Sequence, residues 1–120
     1  MVPAEEGGMK AGEKFRVVLV TCGSLKEARR IARHVVSKRL AACVNIQLSP
    51  IESFYTWKGR TESAREHLLL IKTTAARLAQ LEREVHRIHS YEVPEFIAVP
   101  VISGSRKYLS WLGESVGKPT

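Results

Sequence analysis

Between two stretches of helical periodicity, this chain carries two extended runs joined by a tight turn, and that limits the folds open to it. Ile51 to Trp57 (IESFYTW) is rich in β-branched and aromatic residues, and Glu66 to Thr73 (EHLLLIKT) is the next such run. Lys58-Gly59-Arg60 supplies the turn, so the two stretches pair as a long hairpin. Before them, Leu40 to Gln47 reads as a strand interrupted by Ser49-Pro50, as a bulge or an edge would allow.

The flanks complete the pattern. Phe15 to Cys22 (FRVVLVTC) is short and Val-rich, as a central strand would be. Ser24-Leu25-Lys26-Glu27 then matches a capping box, in which serine and glutamate satisfy each other's free backbone donors. Leu25, Ala28, Ile31, Ala32, Val35 and Val36 follow at helical spacing, giving a helix to about Lys38. A second helix runs from about Ala75 to Ile88 or His89, capped by Thr73 or Thr74, with Leu78, Leu81, Val85 and Ile88 as its apolar stripe. Phe96 to Ile102 is the last strand, with Pro100 marking an edge or irregular end. Lys107 to Leu112 forms a short C-terminal helix.

The order β-α-β-β-α-β plus a small helix specifies an α+β, ferredoxin-like sandwich: four antiparallel strands with two helices on one face. Leu68, Leu69 and Leu70 point to both faces of their strand, so the face without helices is also apolar. Such a face predicts association with other subunits. The expected organisation is a flexible tail over 1–14, one domain over 15–115 and a C-terminal tail over 116–120.

Composition excludes several classes. With 44% apolar and 26% charged residues the chain folds without help from a metal or disulfides. No apolar run is long enough to span a membrane, and Met1 to Lys14 has no apolar core of a signal peptide, so a cytoplasmic location is expected. Cys22 and Cys43 make no CxxC and no zinc spacing; both sit in apolar stretches, as buried thiols in a reducing compartment do. The net charge of +7 invites a nucleic-acid partner. Yet the strands that carry stacking aromatics in the RNA-recognition module read RVVLVT and EHLLLIKT, with none, so no nucleic acid is expected. Aspartate is absent from the chain, which removes a Ser-His-Asp triad and an Asp-dependent phosphoryl-transfer site, and nothing else points to an enzyme.

The chemistry gathers at His89-Ser90-Tyr91-Glu92-Val93-Pro94-Glu95, where a helix stops and a strand begins. His86 and His89, three apart at a helix end, share a face and suit copper or zinc, with Tyr91 and Glu92 able to assist. The plainer alternative is an exposed His86 and a His89 that caps the helix. Lys72 ends its strand where its ammonium could pair with Glu92 or Glu95; otherwise it is a surface lysine.

Five ordered motifs carry a family resemblance: LAACVNI (40–46), SFYTWKG (53–59), IKT (71–73), HSYEVPE (89–95) and YLSW (108–111). Together they resemble the CutA family, the divalent-ion tolerance proteins, from about Val17 to Trp111. The resemblance implies a ferredoxin-like subunit in a stable homotrimer, with sheets facing inward and hairpins clasping neighbours. It implies weak binding of Cu²⁺ or another divalent cation, with His89 matching the family's histidine. His86, three residues before it on the helix face, and Cys22, near the family's thiol position at the end of the first strand, complete the candidate metal ligands. Lys72, Tyr91, Glu92, Glu95 and Trp57 would lie near clefts between subunits, which supports an alternative: a small-ligand sensor like the PII signalling trimers, holding an anion by Lys72. Ser90 departs from the family pattern, which has proline there; serine restores a backbone N–H.

Overall fold

The computed structural model describes residues 11–118, and the tail expected over 1–14 lies mostly outside them. The elements are α1 (Ala11–Lys14), β1 (Phe15–Cys22), α2 (Leu25–Ser37), β2 (Cys43–Ile46), β3 (Ile51–Trp57), β4 (Arg60–Thr74), a 3₁₀ turn (Ala75–Arg77), α3 (Leu78–Ile88), β5 (Ile97–Pro100) and α4 (Arg106–Ser115). The sheet runs β2-β4-β1-β5, with β3 continuing alongside the first half of β4. All pairings are antiparallel, so the ferredoxin-like order is present, with β2 and β3 sharing the place of one long strand.

Alternation along the strands makes two faces. Val18, Val20 and Cys22 of β1 and Leu69 and Ile71 of β4 pack with Ala28, Ile31 and Val35 of α2 and with Leu81 and Val85 of α3; all ten are fully buried. Residues paired across antiparallel strands share a face. The opposite face therefore carries Val17, Leu19, Leu70 and Lys72, with Cys43 beside Lys72, and Ile97 and Val99 from the edge strand β5. Ile97 is 51% exposed and Val99 43% exposed on this helix-free side. A second cluster, Phe15, Leu112 and Val116, anchors α4 to the end of β1.

Several boundaries differ from the expected ones for identifiable reasons. β4 starts at Arg60 rather than Glu66, because the polar segment Arg60–Arg65 pairs residue by residue with β3 and needs no apolar alternation to do so. Lys58 (φ 52°) and Gly59 (φ 77°) form a two-residue turn with both φ values positive, the geometry that matches strand twist. The first part of LAACVNIQ is not strand, because α2 ends in a Schellman motif: Leu40 N–H donates to Val35 O at 2.9 Å and Arg39 N–H to Val36 O at 3.0 Å. The left-handed position there is Arg39 (φ 58°), and its guanidinium donates to Glu114 O at 2.9 Å and Ser115 O at 3.3 Å, fastening α4. Thr73 does not cap α3: its hydroxyl donates to Leu40 O at 2.6 Å.

The packed region also reaches beyond the expected 15–115. Ala11–Lys14 is a helical turn whose Gly12 O accepts from Arg16 at 2.9 Å. At the other end Val116 is buried, and Lys118 O accepts from Arg77 Nη1 at 2.7 Å.

Candidate metal centre

In this topology the end of β1, the start of α2 and the end of α3 meet at one edge of the sandwich. Cys22 closes β1, Glu27 lies in the first turn of α2, and His89 is the residue at which the chain leaves α3 (φ −78°, ψ 143°). Their ligand atoms lie within 4.8 Å of one another, and all three residues are buried.

The capping box of α2 is half built. Ser24 Oγ accepts from Glu27 N–H at 3.1 Å, as expected. The Glu27 carboxylate turns instead to Ser90: Oε2 accepts from the Ser90 N–H at 2.7 Å and Oε1 from the Ser90 hydroxyl at 3.0 Å. Arg30 lies 3.6 Å from the same carboxylate and donates to Ile88 O at 3.0 Å, so α2 grips the end of α3 from both residues. The N–H that serine restores is thus used, and used on a buried acid.

His89 is held at both ring nitrogens. Nε2 lies 2.8 Å from Thr21 O, which can only accept, so Nε2 carries the proton. Nδ1 accepts from Tyr91 N–H at 3.0 Å. This assigns a neutral imidazole, whose ring lies 4.7 Å from the Tyr91 ring at a tilt of 49°. Cys22 Sγ is 3.8 Å from Nε2. Burial, reinforced by Glu27 and Glu66, pushes the Cys22 thiol up to about 12, so it is protonated at neutral pH.

A second ring of polar groups adjoins this cluster. Tyr91 Oη donates to Glu66 at 2.9 Å. Burial, then that hydrogen bond and the Glu66 charge, hold the Tyr91 phenol well above its ordinary range. Burial and Glu66 likewise raise Glu95 above the usual carboxylate range.

The residues singled out from sequence do not all converge. His89 and Cys22 meet. His86 does not share their surroundings: it is exposed and stands edge-on to Phe96 at 6.2 Å, because the chain turns extended at His89 and carries that ring inward. Lys72 does not pair with Glu92 or Glu95; it donates to Asn45 Oδ1 on the helix-free face. It stands six residue steps along β4 from Glu66, about 20 Å at roughly 3.3 Å per residue. Trp57 lies at the hairpin tip with Lys58 over its ring at 5.9 Å, and Glu92 is exposed. Within one chain, then, Tyr91 and Glu95 adjoin Glu66 while Lys72 and Trp57 stand apart. The sequence does not single out Glu27, Glu66 or Thr21 as members of the site. The signal for Glu27 was its place just after β1, which this fold sets beside the end of α3.

The sequence of residues 16–115 matches the family model described as "CutA1 divalent ion tolerance protein". This chain belongs to the CutA1 family. The divalent-cation tolerance protein CutA of Thermus thermophilus is 46% identical over 101 residues, covering 84% of this chain and 97% of its own. The protein of the same name from Archaeoglobus fulgidus is 41% identical over 99 residues, covering 82% and 95%. The crystal structure of CutA1 from Oryza sativa superposes with a TM-score of 0.85 at 42% identity, over 88% of this chain and 96% of that one. The CutA1 subunit fold and the arrangement described above therefore agree.

Proposed function

We propose that this protein is a non-catalytic homotrimer that binds a divalent metal ion weakly at Cys22, Glu27 and His89, copper being the first ion to test. The observation that carries this reading is the buried convergence of one thiol, one imidazole and one carboxylate within 4.8 Å. A thiol and an imidazole suit borderline and soft metals. Tetrahedral coordination with ordinary bond lengths sets sulfur and nitrogen about 3.5 Å apart. Cys22 Sγ and His89 Nε2 are 3.8 Å apart, so the pair fits with little movement.

The same geometry limits the affinity. An ion on Nε2 displaces the bond to Thr21 O, and it takes up Cys22 only by expelling the thiol proton. The Tyr91 N–H must also release Nδ1, which then carries the ring proton. Binding therefore costs two hydrogen bonds and releases a proton.

A trimer is supported by the family membership and by the apolar face that presents Ile97 and Val99. A cytoplasmic setting is supported by the two free cysteines, which lie on opposite faces of the sheet and cannot pair within a chain. The small-ligand alternative rests on a cleft between subunits, where Lys72 and Tyr91, which stand apart within one chain, would have to meet.

Copper titration of the wild type, Cys22→Ser and His89→Ala by calorimetry tests the proposal. The expected result is weak saturable binding that both substitutions reduce at least tenfold; equal affinity in all three removes this cluster from the function.

A further inference from the structure

At the opposite edge of the sandwich, where α2 ends and α3 begins, a cleft of about 350 Å³ is lined by Lys38, Leu40, Arg77, Gln80, Arg83 and Glu84. We infer that this cleft is a binding site for a phosphate dianion, either free or as the head of a small phosphomonoester.

The lining charge is one-sided. Lys38, Arg77 and Arg83 bring three cations against the single carboxylate of Glu84. That carboxylate is already engaged: it meets His34 Nε2 at 2.6 Å and accepts from Arg87 at 2.9 and 3.1 Å. The Arg87 and His34 hydrogen bonds hold it down to about 2, so it stays ionised, and its charge is met by Arg87, which does not line the cleft. The side chains of Lys38 and Arg83, both exposed, have no ion pair or hydrogen-bond partner among the described residues.

Deeper in, Arg77 is 6% exposed. Its Nη1 donates to Lys118 O at 2.7 Å, which fixes the guanidinium, while its buried Nε–H has no partner among the described residues. The buried Gln80 Oε1 is equally unpartnered. A buried donor without an acceptor costs free energy, so a guanidinium fixed this way is suited to an oxyanion. The Gln80 carboxamide, turned over, offers an N–H to the same anion, since its two ends are interchangeable in shape. The first turn of α3 adds its positive end, having neither an acidic residue nor a side-chain cap. A dianion suits this set better than a monocarboxylate, because a tetrahedral phosphate presents enough oxygens to reach Arg77, Gln80, Lys38 and Arg83 together. The site lies on the helix side, away from Lys72 and from the Cys22–Glu27–His89 cluster.

The test is a ³¹P NMR and thermal-shift titration of the full chain with inorganic phosphate and with glycerol phosphate, at constant ionic strength set by sodium chloride. The proteins are the wild type, Lys38→Ala/Arg83→Ala, Arg77→Gln, and the control Arg29→Ala/Arg33→Ala. The control removes the same charge from exposed α2 positions outside the cleft. The expected result is saturable binding of one or both probes to the wild type and the control, weakened at least tenfold in Lys38→Ala/Arg83→Ala. Tighter binding of glycerol phosphate identifies a phosphomonoester site, and tighter inorganic phosphate a free-anion site. Should Arg77→Gln unfold, the double variant, altered only at exposed positions, still decides. Equal weakening in the control, or no saturable binding of either probe to the wild type, overturns the inference.

Discussion

Replacing Ser90 by proline restores the residue expected from the family pattern, and in this chain it should be destabilising. The Glu27 side chain is 8% exposed, and it accepts from the Ser90 N–H at 2.7 Å and the Ser90 hydroxyl at 3.0 Å. A hydrogen bond to a charged group contributes about 1.5–3 kcal/mol. Ser90→Ala removes one, so it should cost about 1.5–3 kcal/mol. Ser90→Pro removes both, about 3–6 kcal/mol, and returns about 0.4–1 kcal/mol through a stiffer unfolded chain. The net expectation is a loss of about 2–5.6 kcal/mol. Urea unfolding at fixed protein concentration measures it, because an associating protein's stability depends on concentration. The same pair of substitutions on a Glu27→Gln background should cost less than half as much, since the neutral amide accepts more weakly. A Ser90→Pro protein as stable as the wild type would refute the role given to this latch.

Further perturbations test other parts of the account. Cys22 ionises in the unfolded chain from about 9 but in the folded one only near 12, so the folded state holds the extra proton between those values. Its contribution is intact below pH 9 and is lost as pH rises toward 12, at up to about 1.4 kcal/mol per pH unit; Cys22→Ser should flatten that part of the alkaline denaturation curve. Ile97→Glu puts a charge on the helix-free face, and light scattering should show an oligomeric wild type and a smaller, still folded variant. Gly23→Ala sets a Cβ 3.1 Å from the Tyr91 hydroxyl, which Glu66 holds in place, so thermal unfolding should register a loss of about 1–3 kcal/mol.

The sandwich was legible because each element carried its own period. Val18, Val20 and Cys22 alternate along β1, and Ile31 and Val35 recur at helical spacing on α2, so both faces of the core could be written down from the sequence. Failures of detail fell where long-range partners decide. Arg60–Arg65 is polar and carries no strand signal, yet β3 recruits it. Arg39 takes a left-handed position that glycine usually fills, because the carbonyls at the end of α4 occupy its guanidinium. The site was half legible for the same reason. His89 announced itself by its place at a helix end. Glu27 matched a local capping pattern, and only the contact across 63 residues with Ser90 shows that its carboxylate serves the other helix. His86 and Lys72 had plausible local chemistry, but an extended turn at one and strand alternation at the other sent them elsewhere.

The claim that Cys22, Glu27 and His89 form a metal site is tested most directly by optical spectroscopy of the protein with cobalt(II) and copper(II). A thiolate bound to such an ion gives an intense charge-transfer band that imidazole and carboxylate alone do not. This band is expected in the wild type, growing as pH rises because the Cys22 proton must leave, absent in Cys22→Ser and weakened in His89→Ala and Glu27→Gln. A wild-type spectrum without the band, or one that Cys22→Ser leaves unchanged, would contradict it.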